Sequence, residues 1–258
     1  SETFLASYLI KIKSYLSSQV DKIIYNSNKS KSYHEGIGYS KKNGIVIPNG
    51  FDGKIFKISS KIKLKKRKIY NIGANDIVFG HFARFHPMKN HKMFIEVANI
   101  ISSKIKNCKF LMAGNNINKN NLNLSKLINQ YKLKDKILLI DEISDLHNFY
   151  PMLDFFCLTS SWGESFPNVL GEAMACGVTC VSTNIGDSKL IIGNTGKCVI
   201  PNNKVVFSNA CLDLINCSLK YKSKINYAAR EQILKKYNIE LIVHEYLKLY
   251  KKCIKNGI

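Results

Sequence analysis

Residues 154–177 read Asp154-Phe155-Phe156-Cys157-Leu158-Thr159-Ser160-Ser161-Trp162-Gly163-Glu164-Ser165-Phe166-Pro167-Asn168-Val169-Leu170-Gly171-Glu172-Ala173-Met174-Ala175-Cys176-Gly177. A short apolar run comes first, then a polar loop, then a helical pattern. A run that is apolar at every position suits a strand buried on both faces, as in a parallel sheet. Pro167 suits the first turn of the helix, and Gly177 suits its stop. Amides of Asn168 and Val169, at the helix start, would face an anion. Glu164 in the loop and Glu172 in the second helical turn can face one cleft. Glu172 sits among Leu170, Ala173 and Met174, where a carboxylate without a partner is costly. The plain alternative for Glu164 is a partner of the helix dipole.

The same alternation extends outward. Apolar runs fall at Ile77–Phe82, Lys109–Ala113, Ile137–Ile140, Asp154–Leu158 and Thr179–Ser182. Helical patterns are expected at His91–Ile105, Leu122–Leu133, Asp145–Leu153 and Asn168–Cys176, with three more near 204–220, 223–237 and 239–255. Strand–helix alternation implies right-handed βαβ units and a doubly wound α/β sheet. Ligands of such sheets bind at the carboxyl ends of the strands. There the chain places Arg84 and Lys89, directly after the Ile77–Phe82 run. Two cations at that point can neutralise a diphosphate, one as a planar fork and one as a point charge. Two surface cations in a Lys-rich chain are the alternative.

The chain has 39 Lys and Arg against 18 Asp and Glu, a formal charge of +21. Only Arg67, Arg84 and Arg230 are Arg. Lys, Asn, Ile and Tyr rise together, the mark of an AT-rich coding sequence. Nucleic-acid readers favour Arg for its fork, so the charge implies attraction to anionic membrane surfaces rather than dedicated nucleic-acid binding. The eight Cys form no CxxC pair and lack His at ligand spacing. They read as free thiols of a reducing cytoplasm. No apolar run reaches the roughly 18 residues of a membrane span. The basic stretch Lys61–Arg67 reads as solvated surface.

The 154–177 stretch resembles the Glu-x7-Glu signature of family 4 of the GT-B glycosyltransferases, the glycosyl transferases group 1. Further segments resemble that family in order: Ile47–Asp52 (IPNGFD), 83–98 (ARFHPMKNHKMFIEVA), 110–121 (FLMAGNNINKNN), 138–161, and 184–203. Coverage runs from about residue 20 to the C-terminus. The wording is most similar to members that build exopolysaccharide or O-antigen. The resemblance implies a retaining hexosyltransferase that takes a nucleotide-sugar donor and a lipid-linked (polyprenyl-diphosphate) or growing surface glycan acceptor. It implies that Arg84 and Lys89 hold the donor diphosphate, helped by Asn168 and Val169, with Phe166 and Pro167 in the same loop. Glu172 would accept hydrogen bonds from the ribose, Glu164 would contact the transferred sugar, and Glu142 and Ile143 would lie near the base. His86 is a further contact or a loop-packing residue. No cofactor and no metal are expected. Cytoplasmic placement on the inner membrane face is.

Four departures stand out: Ala83 for a usual Gly, Thr179 for a Pro, Asn194 for an Asp, and Gly186-Asp187-Ser188 for a Gly-Gly pair. The expected division is a remnant of the acceptor half over 1–43, a Rossmann-like donor domain over 44–238, and a C-terminal helix over 239–258 packing back on the N-terminal segment. Its stripe is expected to be Leu241, Val243, Tyr246, Leu247 and Tyr250. Three readings remain open: the transferase itself in truncated form, a donor-binding subunit needing a separate acceptor-domain protein, and a basic nucleic-acid or membrane-surface binder. The ordered motifs favour the first over the third.

Overall fold

A computed structural model describes the backbone of residues 2–256 and the side chains of 8–217 and 226–254. The chain divides into two compact units, Phe51–Lys236 and the segments on either side of it. The flanking segments carry helix α1 (Glu2–Leu16), strand β1 (Ile23–Tyr25), helix α2 (Asn28–Gly36), strand β2 (Gly44–Val46) and helix α9 (Ile239–Asn256). β1 and β2 pair in parallel. Within this unit, Glu245, Lys248 and Leu249 of α9 line a cleft with Ile45, Val46 and Ile47. Ile242 is buried, whereas Leu241, Val243, Leu247 and Tyr250 of the expected stripe are exposed. The inward positions are Ile242, Tyr246, Leu249 and Cys253, which follow the helical period more closely than the expected set.

The larger unit holds helix α3 (Ser60–Ile69), strand β3 (Ile77–Phe82), helix α4 (His91–Lys104), strand β4 (Cys108–Ala113), helix α5 (Leu122–Gln130) and strand β5 (Ile137–Ile140). Strand β6 (Phe155–Leu158), helix α6 (Asn168–Ala175), strand β7 (Thr179–Thr183), helix α7 (Ser188–Ile192), strand β8 (Lys197–Val199) and helix α8 (Lys204–Tyr237) follow. The six strands form one sheet in the order β5-β4-β3-β6-β7-β8, parallel throughout. The chain winds one way from β3 to β5 and the other way from β6 to β8, so the α/β doubly wound class expected from the sequence is the class found. The order reverses between β3 and β6. At such a switch point a doubly wound sheet has a crevice at the carboxyl ends of its strands, bordered here by the loops after β3 and β6. The core is a continuous apolar cluster built on the sheet by Phe79, Phe110, Phe155, Phe94, Ile101 and Phe207. Phe79 stacks between Phe110 and Phe155 at 5.2 and 5.3 Å.

Three local expectations are corrected. The helix expected over Asp145–Leu153 is two short 3-10 turns, Leu146–Asn148 and Tyr150–Met152. Pro151 lies in the second and cannot donate to an α-helical ladder. The helices expected at 204–220 and 223–237 are one, α8, because no Gly or Pro between them breaks the ladder. The basic stretch is not wholly solvated. Arg67 is buried, donating to Met152 O, Asp76 O and Asp154 Oδ2 at 2.9, 3.1 and 2.7 Å. Arg230 likewise serves structure. It donates to the carbonyls of Phe56, Gly53 and Ala175.

Five of the eight cysteines are buried, all eight are free, and Cys217 is exposed. Among the described residues no helix is long and apolar enough to cross a membrane.

Breaking the buried Arg67–Asp154 pair leaves a carboxylate short of a partner, although Lys63 and the Val78 amide remain. Arg67→Leu should lower the unfolding free energy by about 3 kcal/mol, read from urea denaturation. Exposed Lys65→Ala should change it by less than about 0.5 kcal/mol.

Candidate active site at the switch point

The loop after β3 and the loop after β6 meet above the switch point. His86 caps the 3-10 turn Pro87–Lys89, its Nδ1 accepting from the Met88 amide at 3.2 Å. That turn aims Lys89 across the crevice. Lys89 Nζ lies 2.5 Å from Glu164 Oε1, and Ser160 Oγ donates to the same oxygen at 2.6 Å. Only 9% of the Glu164 side chain and 17% of the Lys89 side chain remain exposed, so the pair is well shielded from solvent screening. Arg84 stands exposed at the end of β3, with no hydrogen bond or ion pair to another described residue. Of the three arginines, it is the one whose side chain the described residues leave without a partner.

The crevice loops brace each other. Thr159 Oγ1 donates to Lys89 O at 3.0 Å, and the Ser161 amide donates to Met88 O at 2.8 Å. Asn90, in a left-handed conformation at φ 50°, links Ser161 Oγ and Asn202 Oδ1 through its amide. Gly186 has φ 61°, and a Cβ there would meet Ser165 O at 2.5 Å. The Asp187 amide donates to that same carbonyl at 2.9 Å. The departure at Gly186-Asp187 therefore supports the Glu164 loop from below.

Helix α6 starts at Asn168, as expected, with Pro167 in the cap position rather than in the first turn. The Phe166 ring is buried and stacks on Phe51 of the IPNGFD segment at 6.2 Å. Phe51 also presses on Gly171, where a Cβ would lie 2.0 Å from the ring. Phe166 thus helps to fix the loop, with its ring turned into the fold. Asn168 and Val169 form the first turn of α6, which begins after the β6 loop. In the second turn, Glu172 Oε2 accepts from Tyr150 Oη at 2.7 Å. Burial raises the Glu172 carboxyl above its ordinary value, and the Tyr150 hydrogen bond works against that rise.

Glu142 and Ile143 follow β5, at the same end of the sheet but two strands away from β3. Glu142 is exposed and accepts from Asn115 Nδ2 at 3.4 Å. The structure therefore gathers Lys89, Glu164 and Ser160 into one cluster, while Arg84 stands exposed earlier in the Lys89 loop and makes no hydrogen bond or ion pair to it. Glu172 stands one helical turn below, and Glu142–Ile143 lie at the far side. Sequence reasoning missed Ser160 and Tyr150. Ser160 carried a signal, as a hydroxyl two residues past a buried strand and four before Glu164. Among the described residues no group of three or more His, Cys, Asp or Glu side chains is placed to hold a metal.

Beneath the cluster lie two buried histidines. His81 Nδ1 bonds Cys157 O at 2.9 Å, His91 Nε2 approaches Ala83 O at 3.3 Å, and the rings meet edge-on at 4.8 Å. The remaining nitrogen of each is buried without a partner. Burial, with Lys89 nearby, holds His81 well below its ordinary value and His91 down to about 4.

Parallel sheet, switch point and ion-paired crevice together define a Rossmann-like ligand-binding unit of α/β class. The chain belongs to the glycosyl transferases group 1, whose family model matches residues 62–232. It is 28% identical over 214 residues to UDP-Gal:alpha-D-GlcNAc-diphosphoundecaprenol alpha-1,3-galactosyltransferase of Escherichia coli, covering 78% of this chain and 55% of that protein. It is 25% identical over 257 residues to the capsular polysaccharide biosynthesis glycosyltransferase CapM of Staphylococcus aureus, covering 98% of this chain and 64% of that one. Among solved structures, Anabaena Alr3699/HepE in complex with UDP superposes with a TM-score of 0.86 at 20% identity, covering 94% of this chain and 67% of that chain. A glycosyltransferase from Rickettsia africae gives 0.84 at 24%, covering 95% and 67%. The GT-B fold expected from the motifs is the fold these likenesses show. The chain spans about half the length of the first of these curated relatives.

The histidines set a pH dependence. Their folded-state affinity for protons lies below the unfolded value of about 6.5, so the unfolded chain binds more protons as pH falls below that value. Stability should be full above about pH 6.5 and fall toward pH 4, by about 1.4 kcal/mol per pH unit for each histidine. Glu172, shifted upward, opposes this in part. Urea midpoints from pH 7 to pH 4.5 measure the slope, and His91→Phe should remove about half of the histidine share.

Proposed function

We propose that the chain binds the donor of a retaining glycosyl transfer, a nucleotide-diphosphate sugar, and works in the assembly of a surface polysaccharide. The observation that carries this reading is the Lys89–Glu164 pair across the switch point, with Arg84 exposed in the same loop as Lys89. A diphosphate seated there would meet Arg84 as a fork, Lys89 as a point charge and the Asn168 and Val169 amides at a helix N-terminus. Fixed cations and amides can carry the charge of a leaving nucleoside diphosphate, and on this reading no metal or cofactor is required. Glu164 faces the same space and would orient the transferred sugar. Glu172 would accept from the ribose hydroxyls, and the Glu142–Ile143 loop would border the base.

Support for a UDP-sugar comes from two relatives. The E. coli protein is named for UDP-Gal and a diphosphoundecaprenol-linked GlcNAc, and the Anabaena protein was solved with UDP-glucose. By the same route we assign the acceptor to a lipid-linked or growing glycan. The charge of +21 suits work beside an anionic membrane face. On this reading nucleic acid is not a partner.

The test is calorimetric titration with UDP, GDP and ADP, then with their sugars, with and without Mg²⁺. Saturable binding of one nucleotide is expected, unaffected by Mg²⁺. Arg84→Ala should weaken the diphosphate far more than the nucleoside, and equal losses would remove the phosphate role. Glu172→Ala should cost about 1–3 kcal/mol of nucleotide binding. Glu164→Ala should spare the bare nucleotide. Binding of none of the three overturns the reading.

A further inference from the structure

Tyr150 is fully buried at the amino end of β6, in the turn that replaces the expected helix. Its ring is held by Phe82, Phe156 and Phe56, at centroid distances of 5.2, 5.7 and 6.3 Å. Three rings from three places in the chain leave the phenol no freedom to swing. Its hydroxyl lies 2.7 Å from Glu172 Oε2. A phenol locked this way imposes its own position on the softer glutamate chain. Glu172 is itself only half-buried, so one edge of the carboxylate is spoken for from inside and the other remains open.

We propose that Tyr150 is a positioning residue for nucleoside recognition: its hydroxyl pins Oε2 of Glu172 so that Oε1 faces outward as the acceptor for a ribose diol. This rests on the role given to Glu172 above and adds the residue that sets its geometry. A free glutamate would have to give up rotamers when the ligand arrives, whereas a pinned one has already done so on folding. The pinning also favours the ionised, acceptor-only form of the carboxylate. The other titratable groups in the neighbourhood are Cys176, on the same helix, and Cys180, on β7. Burial holds both as neutral thiols, and the Arg230 charge faces Cys176. Neither thiol changes charge in the range where Glu172 does.

The experiment compares the wild-type chain, Y150F and E172A in binding a nucleoside diphosphate and its 2′,3′-dideoxy counterpart by calorimetry, from pH 5 to pH 8.5. UDP and dideoxy-UDP are the probes, with GDP and ADP pairs as the alternates. The wild type should prefer the diol by at least about tenfold, the weight of a hydrogen bond to a charged acceptor, and E172A should abolish the preference. Y150F should keep its melting temperature within a few degrees and lose most of the preference. Its binding should also fail at a higher pH on the acid side than that of the wild type, because Glu172 loses the donor that opposes its upward shift. A role confined to packing would lower the melting temperature and leave both the preference and the acid limb where they are.

Y150F with wild-type preference and an unmoved acid limb overturns the positioning role while leaving Glu172 in place. Retention of the preference by E172A overturns the Glu172 reading itself. Should Y150F fail to fold, E172Q decides the matter. The fixed hydroxyl should draw the amide oxygen inward and turn the amide NH2 toward the ligand, so E172Q should lose the preference as fully as E172A. An E172Q chain that prefers the diol as the wild type does overturns the proposal.

Discussion

Asp154 is a buried carboxylate at the foot of β6, and it collects donors from three directions. The Val78 amide of β3 reaches Oδ2 at 2.9 Å, Arg67 reaches the same oxygen at 2.7 Å, and Lys63 reaches Oδ1 at 2.9 Å. Its own amide returns a bond to Val78 O at 2.8 Å. β3 and β6 are the strands between which the sheet changes direction, and their paired register is brief, Phe79 with Phe155 and Gly80 with Phe156. β3 against β4, by contrast, pairs over its whole length. A short parallel pairing specifies register weakly by backbone alone. The carboxylate supplies what the ladder lacks. Removing a charge from water is expensive unless hydrogen bonds replace the solvent, so only the register that brings all of these donors to Asp154 keeps it satisfied.

That register decides what happens at the other end of the same two strands. Lys89 leaves β3 and Glu164 leaves β6, and a one-residue slip would turn each preceding side chain to the opposite face of the sheet. The 2.5 Å separation of Lys89 and Glu164 is thus a consequence of the Asp154 node at the far end. The distribution of arginine follows the same division. Arg67 and Arg230 each give three hydrogen bonds inside the fold, Arg67 to two backbone carbonyls and a carboxylate and Arg230 to three carbonyls. Arg84, at the carboxyl end, spends none. In a chain that elsewhere uses Lys for surface charge, two of the three arginines serve the fold through their fork geometry, and on the proposed reading the third serves a ligand.

Much of this was legible in the sequence. Continuous apolar runs located five of the sheet strands, and the segments after two of them hold Lys89 and Glu164, which the structure brings together. What escaped did so for physical reasons. The 146–152 stretch has helix-like spacing of apolar residues, but Pro151 and the need to place Tyr150 against Phe82 and Phe156 make it two tight turns. Arg67 looked like one cation in a solvated run, because nothing local distinguishes it. Its partner, Asp154, is 87 residues away. The inward face of α9 was misjudged because that helix carries apolar residues on more than one side, and periodicity alone cannot choose between two stripes. Tyr150 stayed hidden because a hydroxyl has no sequence signature until its acceptor is known, and Ser160 was passed over although its place between the strand and Glu164 was a signal.

The two carboxylates of the signature are held in opposite ways, and this asymmetry bears on how the crevice would work. Glu172 is gripped from inside by a neutral donor on a rigid ring. Glu164 is gripped from across the crevice by Lys89, a cation on a flexible stem, with Ser160 as its second donor. On the proposed reading, a diphosphate entering beside Arg84 competes for Lys89. The three donor protons of an ammonium allow it to bridge both anions, but its pull on Glu164 weakens as the phosphate draws closer. Ser160 then becomes the main restraint on Glu164, and the carboxylate gains freedom to turn toward the sugar attached to that diphosphate. Glu172, whose partner is neutral and immobile, keeps its place. Donor binding would thus release the carboxylate that faces the sugar and leave fixed the one that faces the nucleoside.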